Sequence, residues 1–393
     1  MDKVNTDVEA LWSLFCKSVS VDGKHGLIDF LNLIQSTELI DGEYFIRTVY
    51  NPALPLGVGF EIIPTELVDE LLNTGLQKDG SSIRMGIRYD SLNRPVSYFV
   101  RVPLIGEPLL AQVSKLKSVG GHYEIPASEI LHNFYADEAG VGRGMTTLAT
   151  VLTALDQLSA YQKAVIASEQ IAASKVGFVS RKNQDAEELE TNPTIDATPG
   201  SFVELPENYE LHSWTPSGSG ANFGEVIKTL IRIIASGVRM SYNSLANDLQ
   251  STSYSSIRSG MLQERTTFKT IQARRVADCR RFFAIVVAYA IETKKLSLPS
   301  SVTLAQVLDA ANFVPKGFDW IDPEKDAKAV VLQVNNGLAS KSQLLQEKGT
   351  DYETVLAQIQ KDKALEEKYG FVATATPAPA PVLQAPADPN ADA

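Results

Sequence analysis

Ten consecutive apolar residues, 282–291 (FFAIVVAYAI), sit between Arg280-Arg281 on one side and Lys294-Lys295 on the other. The run is too short to span a bilayer, which needs about 20 such residues. It therefore reads as the buried middle of a helix. The helical pattern extends over residues 257–293, roughly 37 residues or about 55 Å. Its first half is amphipathic and basic; its second half is apolar all round, so it needs neighbours on every side. A chain of 393 residues has room for two or three domains to supply them.

The remainder of the chain is ordinary soluble sequence, 44% apolar and 21% charged, without the composition of a disordered or fibrous chain. Met1-Asp2-Lys3-Val4 leads into a polar, acidic stretch unlike a secretory signal. Cys16 and Cys279 are the only cysteines, which excludes a disulfide scaffold and a Cys-rich zinc module and suits a reducing compartment. The four histidines (His25, His122, His132, His212) do not approach ligand spacing.

A net charge of −11 argues at first against a nucleic-acid partner. Divided by segment, however, the charge is polarised. Residues 181–210 carry eight acids against Arg181 and Lys182, whereas 257–295 carry nine bases against Glu264, Asp278 and Glu292. Such a division is also what two solvated faces would give.

Helical spacing of Val8, Leu11, Trp12 and Phe15 opens the chain. From Asp41 the pattern turns to β-formers: residues 44–50, 59–63, 83–89 and 96–102 predict strands, and 129–132 one more. Gly140-Val141-Gly142-Arg143-Gly144 then precedes a helix expected over 145–175. Pro193, Pro199, Gly200, Pro206 and Pro216 break any helix within 177–220, a short strand is expected at 201–205, and Ser217-Gly218-Ser219-Gly220 makes a joint. A second helix is expected over 223–240. Its Lys228, Arg232 and Arg239, four and seven apart, predict one basic stripe. The polar run 243–256 reads as a loop. Beyond 295, Asp322-Pro323, Gly337, Ser340, Gly349, Asp351 and Gly370 punctuate helices, and the Ala/Pro-rich 372–393 reads as a disordered tail.

No catalytic or metal constellation emerges, and no cofactor is called for. The Gly140–Gly144 passage lacks a Walker Lys-Ser/Thr pair and follows Asp137-Glu138, so it reads as a helix start rather than a phosphate loop. His132 reads as a core histidine. The acids Asp185, Glu187, Glu188 and Glu190 fall in a Pro-interrupted loop, not on the rigid strands that a two-metal nuclease uses.

The order of these parts resembles the lambda-type portal proteins of tailed bacteriophages. The stretches that carry the resemblance begin with Leu39-Ile40-Asp41-Gly42-Glu43-Tyr44-Phe45, Gly86-Ile87-Arg88-Tyr89-Asp90 with Arg94-Pro95-Val96, and Glu129-Ile130-Leu131-His132. Gly142-Arg143-Gly144 follows, then residues 242–248 and Tyr254-Ser255-Ser256-Ile257-Arg258. Phe318-Asp319-Trp320-Ile321-Asp322-Pro323, Ala327, Gly337-Leu338 and Gly349-Thr350-Asp351 with Leu356 close the set, and the resemblance reaches over about residues 10–371. Members of that family extend further upstream, so the chain starts inside the region they add, its wing either reduced or cut short.

The resemblance implies an α+β portal fold assembled as a homo-oligomeric ring of about twelve subunits at one capsid vertex. Double-stranded DNA would pass through its centre during packaging and ejection. It implies a wing (1–144), a stem of two helices (145–176 and 223–241) with the clip between them (177–222), a tunnel loop (242–256), the long helix (257–295) and a helical crown (296–371). On this reading Lys228, Arg232 and Arg239 face the channel. Asn243, Asn247, Asp248, Gln250, Ser251, Thr252 and Tyr254 belong to the tunnel loop. Asp185, Glu187, Glu188 and Glu190 form a docking surface on the clip. The implied partners are the terminase large subunit, head-completion and connector proteins, and the major capsid and scaffold proteins, with no membrane. The implied location is the virion, and the host cytoplasm during assembly. Sparse positive charge suits a sleeve, since every Lys/Arg–phosphate contact adds salt-dependent grip. The competing expectation is a monomeric helical DNA-binding adaptor of about 43 kDa; a ring would be far larger.

Overall fold

A computed structural model describes residues 2–102, 110–112, 115–136, 138–173, 177–181, 209–213, 222–248, 254–319 and 322–370. The chain mixes helices with antiparallel sheets and divides into two compact units, residues 1–311 and 312–393.

In the first unit, helices α1 (Asp2–Cys16) and α2 (Leu27–Asp41) come first. Gly42 ends α2 with φ 88°, its N–H returning to the Glu38 carbonyl, the left-handed cap that glycine adopts without a Cβ penalty. Aromatic and β-branched residues then favour extended backbone, giving β1 (Glu43–Tyr50) and β2 (Val58–Ile63). With β8 (Ile130–Phe134) they form a three-stranded antiparallel sheet in the order β2-β1-β8, with Phe45 opposite both Ile63 and His132. A five-stranded antiparallel sheet contains β3 (Ser82–Arg84), β4 (Ile87–Tyr89), β5 (Pro95–Arg101), β6 (Lys117–Val119) and β7 (His122–Pro126), in the order β3-β4-β5-β7-β6. The single strand expected over 83–89 is two. Met85 (φ 50°) and Gly86 (φ 78°) turn the chain between them, with Gly86 pressed against the Asp69 backbone.

Strand β1 is buried at every position but the last, because both of its faces are covered. Tyr44 and Ile46 point into a core with Phe15, Phe30, Ile34 and Phe60. Phe45 points the other way, among Ile63, Ile87, Tyr98, Val100 and Ile125. Period-two alternation thus feeds two cores from one strand.

Helix α3 (Leu152–Ala173) begins later than expected, because Thr146 caps a 3₁₀ turn over Thr147–Val151 first. The Thr146 Oγ1 accepts from the Leu148 N–H and donates to the Leu39 carbonyl at 2.7 Å, fastening this turn to α2. Helix α4 (Phe223–Gly237) runs antiparallel to α3. Val151 and Ala154 pack on Ile234 at one end, and Tyr161 stacks on Phe223 at the other, ring centres 5.9 Å apart. Between the helices, β9 (Gly177–Arg181) pairs with β10 (Tyr209–Ser213). The strand expected at 201–205 lies outside the described residues.

The region read as a loop contains a short helix, α5 (Tyr242–Ala246), and the long helix α6 starts earlier, at Tyr254, running to Glu292. Ser241 explains the first departure: its side chain accepts from the Ser244 N–H as an N-cap. The apolar half of α6 is covered unevenly. Phe282, Phe283, Val286, Val287 and Ala290 are buried, while Ala284, Ile285, Ala288, Tyr289 and Ile291 are half-exposed. The chain buries one side fully and the other only in part, so the expectation of burial on all sides is met incompletely among the described residues. Helix α7 (Leu304–Ala310) follows with a full capping box from Thr303 and Gln306.

In the second unit the punctuation works residue by residue. Asp322 caps α8 (Pro323–Asn335) with proline at its first turn, Ser340 caps α9 (Lys341–Glu347), and Asp351 caps α10 (Tyr352–Tyr369), which ends at Gly370 with φ 68°. Residues 372–393, expected to form a disordered tail, lie outside the described residues.

Candidate functional site

Lys228 and Arg232 lie one turn apart on α4 and share a face. Arg239 does not belong to that helical stripe. The helix stops at Gly237, where a side chain would run into Val151 of the 3₁₀ turn before α3, and Arg239 adopts φ 58° beyond it. Instead, Arg232 and Arg239 flank a cavity of about 450 Å³ whose walls include Ser241, Tyr242, Glu264 and Thr267. The Arg232 guanidinium lies 5.2 Å from the centre of the Tyr242 ring, a cation–π contact. The Tyr242 hydroxyl donates to Asp248 Oδ2 at 2.8 Å, and that bond pushes its phenol pKa up. Asn247 adopts φ 50°, a left-handed residue that asparagine tolerates. Gln250, Ser251 and Thr252 lie outside the described residues, and so do the acids Asp185, Glu187, Glu188 and Glu190. Tyr254 is the first residue of α6, not a loop residue.

Sequence reasoning assigned no role to Arg143, which is heavily hydrogen-bonded in the structure. Its Nε donates to Glu43 Oε1 at 2.6 Å, and its Nη1 donates to the carbonyls of Met85 (2.9 Å) and Val68 (3.2 Å). Glu43 Oε2 also accepts from the Gly144 N–H at 3.0 Å and from His132 Nε2 at 2.9 Å. Side chains at Gly42 or Gly144 would collide with the facing backbone, so both glycines let the two strands of chain touch. Gly144 serves close approach to Gly42 and Glu43, and Gly142 approaches the Tyr89 hydroxyl. Their spacing was the available signal; Glu43, a hundred residues away, was not.

Burial opposes ionisation of Glu43, but the bonds from His132, Arg143 and Gly144 outweigh it and hold its pKa below the ordinary value. Burial pushes His132 the other way for a base, below its ordinary 6.5. The neutral ring donates through Nε2 and accepts the Tyr98 hydroxyl at Nδ1, 3.4 Å away. Because the folded pKa of His132 is depressed, the unfolded chain takes up that proton first. Stability therefore falls as pH drops through 6.5 and levels off below the folded value. A His132→Gln variant, able to donate and accept in the same directions, should lose this limb. Urea denaturation of both proteins between pH 7.5 and pH 5 reads the difference, and parallel profiles would refute the assignment. Shifts of groups that do not contact His132 cancel in the comparison.

The basic character of α6 is spent partly inside the molecule. Arg274 and Arg275 both pair with the buried Glu38 of α2, and Arg275 also reaches Asp278, 3.4 Å away. Asp278 in turn accepts the Tyr44 hydroxyl at 2.7 Å. Arg280 and Arg281 are exposed.

Nothing among the described residues assembles a catalytic group. Burial raises the Cys16 thiol to about 11 and the Cys279 thiol to about 12, far from nucleophilic values. Among the described residues, no cluster of three or more His, Cys, Asp or Glu is placed to hold a metal, and no helix is long and apolar enough to cross a membrane.

The family model described as "Phage portal protein, lambda family" matches residues 1–272. The chain belongs to that family, whose members are structural proteins rather than enzymes. It is 28% identical over 355 residues to the probable portal protein of Halomonas phage phiHAP-1, a match covering 87% of this chain and 66% of that one. It is also 20% identical over 396 residues to portal protein B of Escherichia phage lambda, covering 90% of this chain and 72% of that one. The chain thus spans just under two thirds of the first relative's length. Among solved structures, a chain of the virion of a native gene transfer agent particle aligns over 87% of this chain and 84% of its own, at 14% identity and a TM-score of 0.48.

Proposed function

We propose that this chain is a portal subunit, forming a closed ring at one vertex of a phage or phage-like capsid, through which double-stranded DNA is packaged and ejected. The observation that carries the reading is the family match over residues 1–272. On it, residues 1–144 are the wing, α3 and α4 the stem, 177–222 the clip, 242–256 the tunnel segment, 257–295 the long helix and 296–371 the crown. The clip would dock the terminase large subunit and later the head-completion proteins, through Asp185, Glu187, Glu188 and Glu190. The wing would meet capsid and scaffold proteins. Lys228 and Arg232 would line the channel from α4, with Arg239 beside the tunnel segment.

The antiparallel helix pair supports this division, because it carries few cations and holds them in reach of one polar segment. Sparse cations let DNA slide, whereas a dense stripe would bind it.

One assembly and packaging experiment tests the reading. The purified chain should run as a ring many times its 42.8 kDa mass, and particles built with it should package DNA. Reversing Lys228, Arg232 and Arg239 together to Glu should leave the ring intact and reduce packaging and retention. Neutralising Glu187, Glu188 and Glu190 should weaken motor docking, most at low salt. A 43-kDa species would overturn the ring, and unchanged packaging by the triple reversal would overturn the channel stripe.

A further inference from the structure

We infer that Glu264 is the positioning residue of the 241–248 segment, a latch on α6 that fixes where this segment sits; its link to DNA passage rests on the channel reading above. Glu264 is only 7% exposed, and both its oxygens are used. Oε1 accepts the backbone N–H of Ser241 at 3.3 Å and Oε2 the hydroxyl of Ser244 at 2.8 Å. A carboxylate only accepts, so it dictates the direction of everything upstream. The Ser244 O–H must point to Glu264, which leaves Ser244 Oγ to accept from the Ser241 hydroxyl at 2.8 Å. The Ser241 oxygen is then turned to accept the Ser244 N–H at 3.2 Å. That last bond is the N-cap of α5.

The consequence is local order that the segment could not have alone. Five residues form barely more than one turn, and an isolated helix that short does not persist in water. Here its first turn is built onto a carboxylate supplied by another helix.

Helix α6 continues without interruption from Glu264 to Arg274, Arg275 and Asp278. Those side chains are ion-paired or hydrogen-bonded to Glu38 and Tyr44 in the core between α2 and β1. Ten to fourteen residues of helix separate the two anchor points, about 15–21 Å. The segment is thereby referenced to the core through one rigid rod, while the Tyr242–Asp248 bond and the Arg232 contact hold its other side.

Hydrogen exchange on the full-length chain tests this. Glu264→Ala should speed exchange of the amides of 241–246 roughly ten- to a hundredfold, the factor that losing charge-assisted hydrogen bonds gives a local opening equilibrium. Amides of α6 at 274–286 should stay protected. Ser244→Ala, which leaves α6 untouched, should produce most of the same effect, and Glu264→Gln, which can still accept from Ser241, a smaller one. Unchanged exchange at 241–246 in both alanine variants would overturn the latch. Faster exchange there, with unaltered DNA packaging and retention by particles carrying Glu264→Ala, would leave the latch standing and overturn the channel assignment of the segment.

Discussion

Replacing Arg143 with methionine should destabilise the first unit by about 3–5 kcal/mol, the cost of leaving one partner of a buried ion pair alone. Glu43 is 3% exposed and its carboxylate is ionised against a strong burial penalty. Without the guanidinium it keeps only the Gly144 N–H and His132, and the carbonyls of Val68 and Met85 lose their shared donor. Methionine restores much of the lost volume, so the loss reads charge and hydrogen bonding more than cavity. The double variant Arg143→Met, Glu43→Gln should recover a large part of the loss, because no uncompensated charge remains. Denaturant titration at fixed protein concentration measures both. A single-variant loss under about 1 kcal/mol, the range of exposed pairs, would show the pair to be dispensable.

The consequence reaches beyond stability. Arg143 and Gly144 fasten the start of the α3 turn to β1, and Thr146 fastens it to α2. The start of the antiparallel helix pair is therefore held to β1 and α2 by Arg143, Gly144 and Thr146.

Features that depend on neighbouring residues were legible in the sequence. Asp322, Ser340 and Asp351 cap their helices because a short polar side chain reaches an N–H two or three positions on. The strands of β1, β2 and β5 follow from runs of aromatic and β-branched residues. What was not legible depends on residues far away in the chain. Arg274 and Arg275 count as a basic face until Glu38, more than 230 positions earlier, is placed against them. Met85 takes φ 50°, its N–H held by Asn73 Oδ1, a conformation for which methionine gives no local cue. Gly237 ends α4 where Val151 leaves no room for a Cβ, so a stripe of three cations became a stripe of two with a third beyond the helix end.

The apolar run of α6 yields the other large expected effect. Phe282→Ala should cost about 3–5 kcal/mol, as truncation of a fully buried phenylalanine does. Phe282 has no exposed surface and meets two rings, Phe60 at 4.5 Å and Phe30 at 6.0 Å between centroids. Those rings belong to β2 and α2, so the cavity would open between α6 and both layers it joins. All three residues are in one chain, and the loss must therefore be present in an unassembled subunit. Ala288, half-buried and six residues on from Phe282, gives the contrast. Ala288→Glu places a charge on the side that the chain leaves partly open, and should cost the isolated subunit under about 1 kcal/mol, as substitutions away from the core do. Denaturation of the monomeric chain measures the first effect, and, on the ring proposed above, native mass reads the second. If Ala288→Glu lowers ring yield while sparing the subunit, the open side of α6 is where a neighbouring subunit completes the burial that the apolar run demands. If Phe282→Ala spares the isolated subunit, the run is instead buried mainly by assembly.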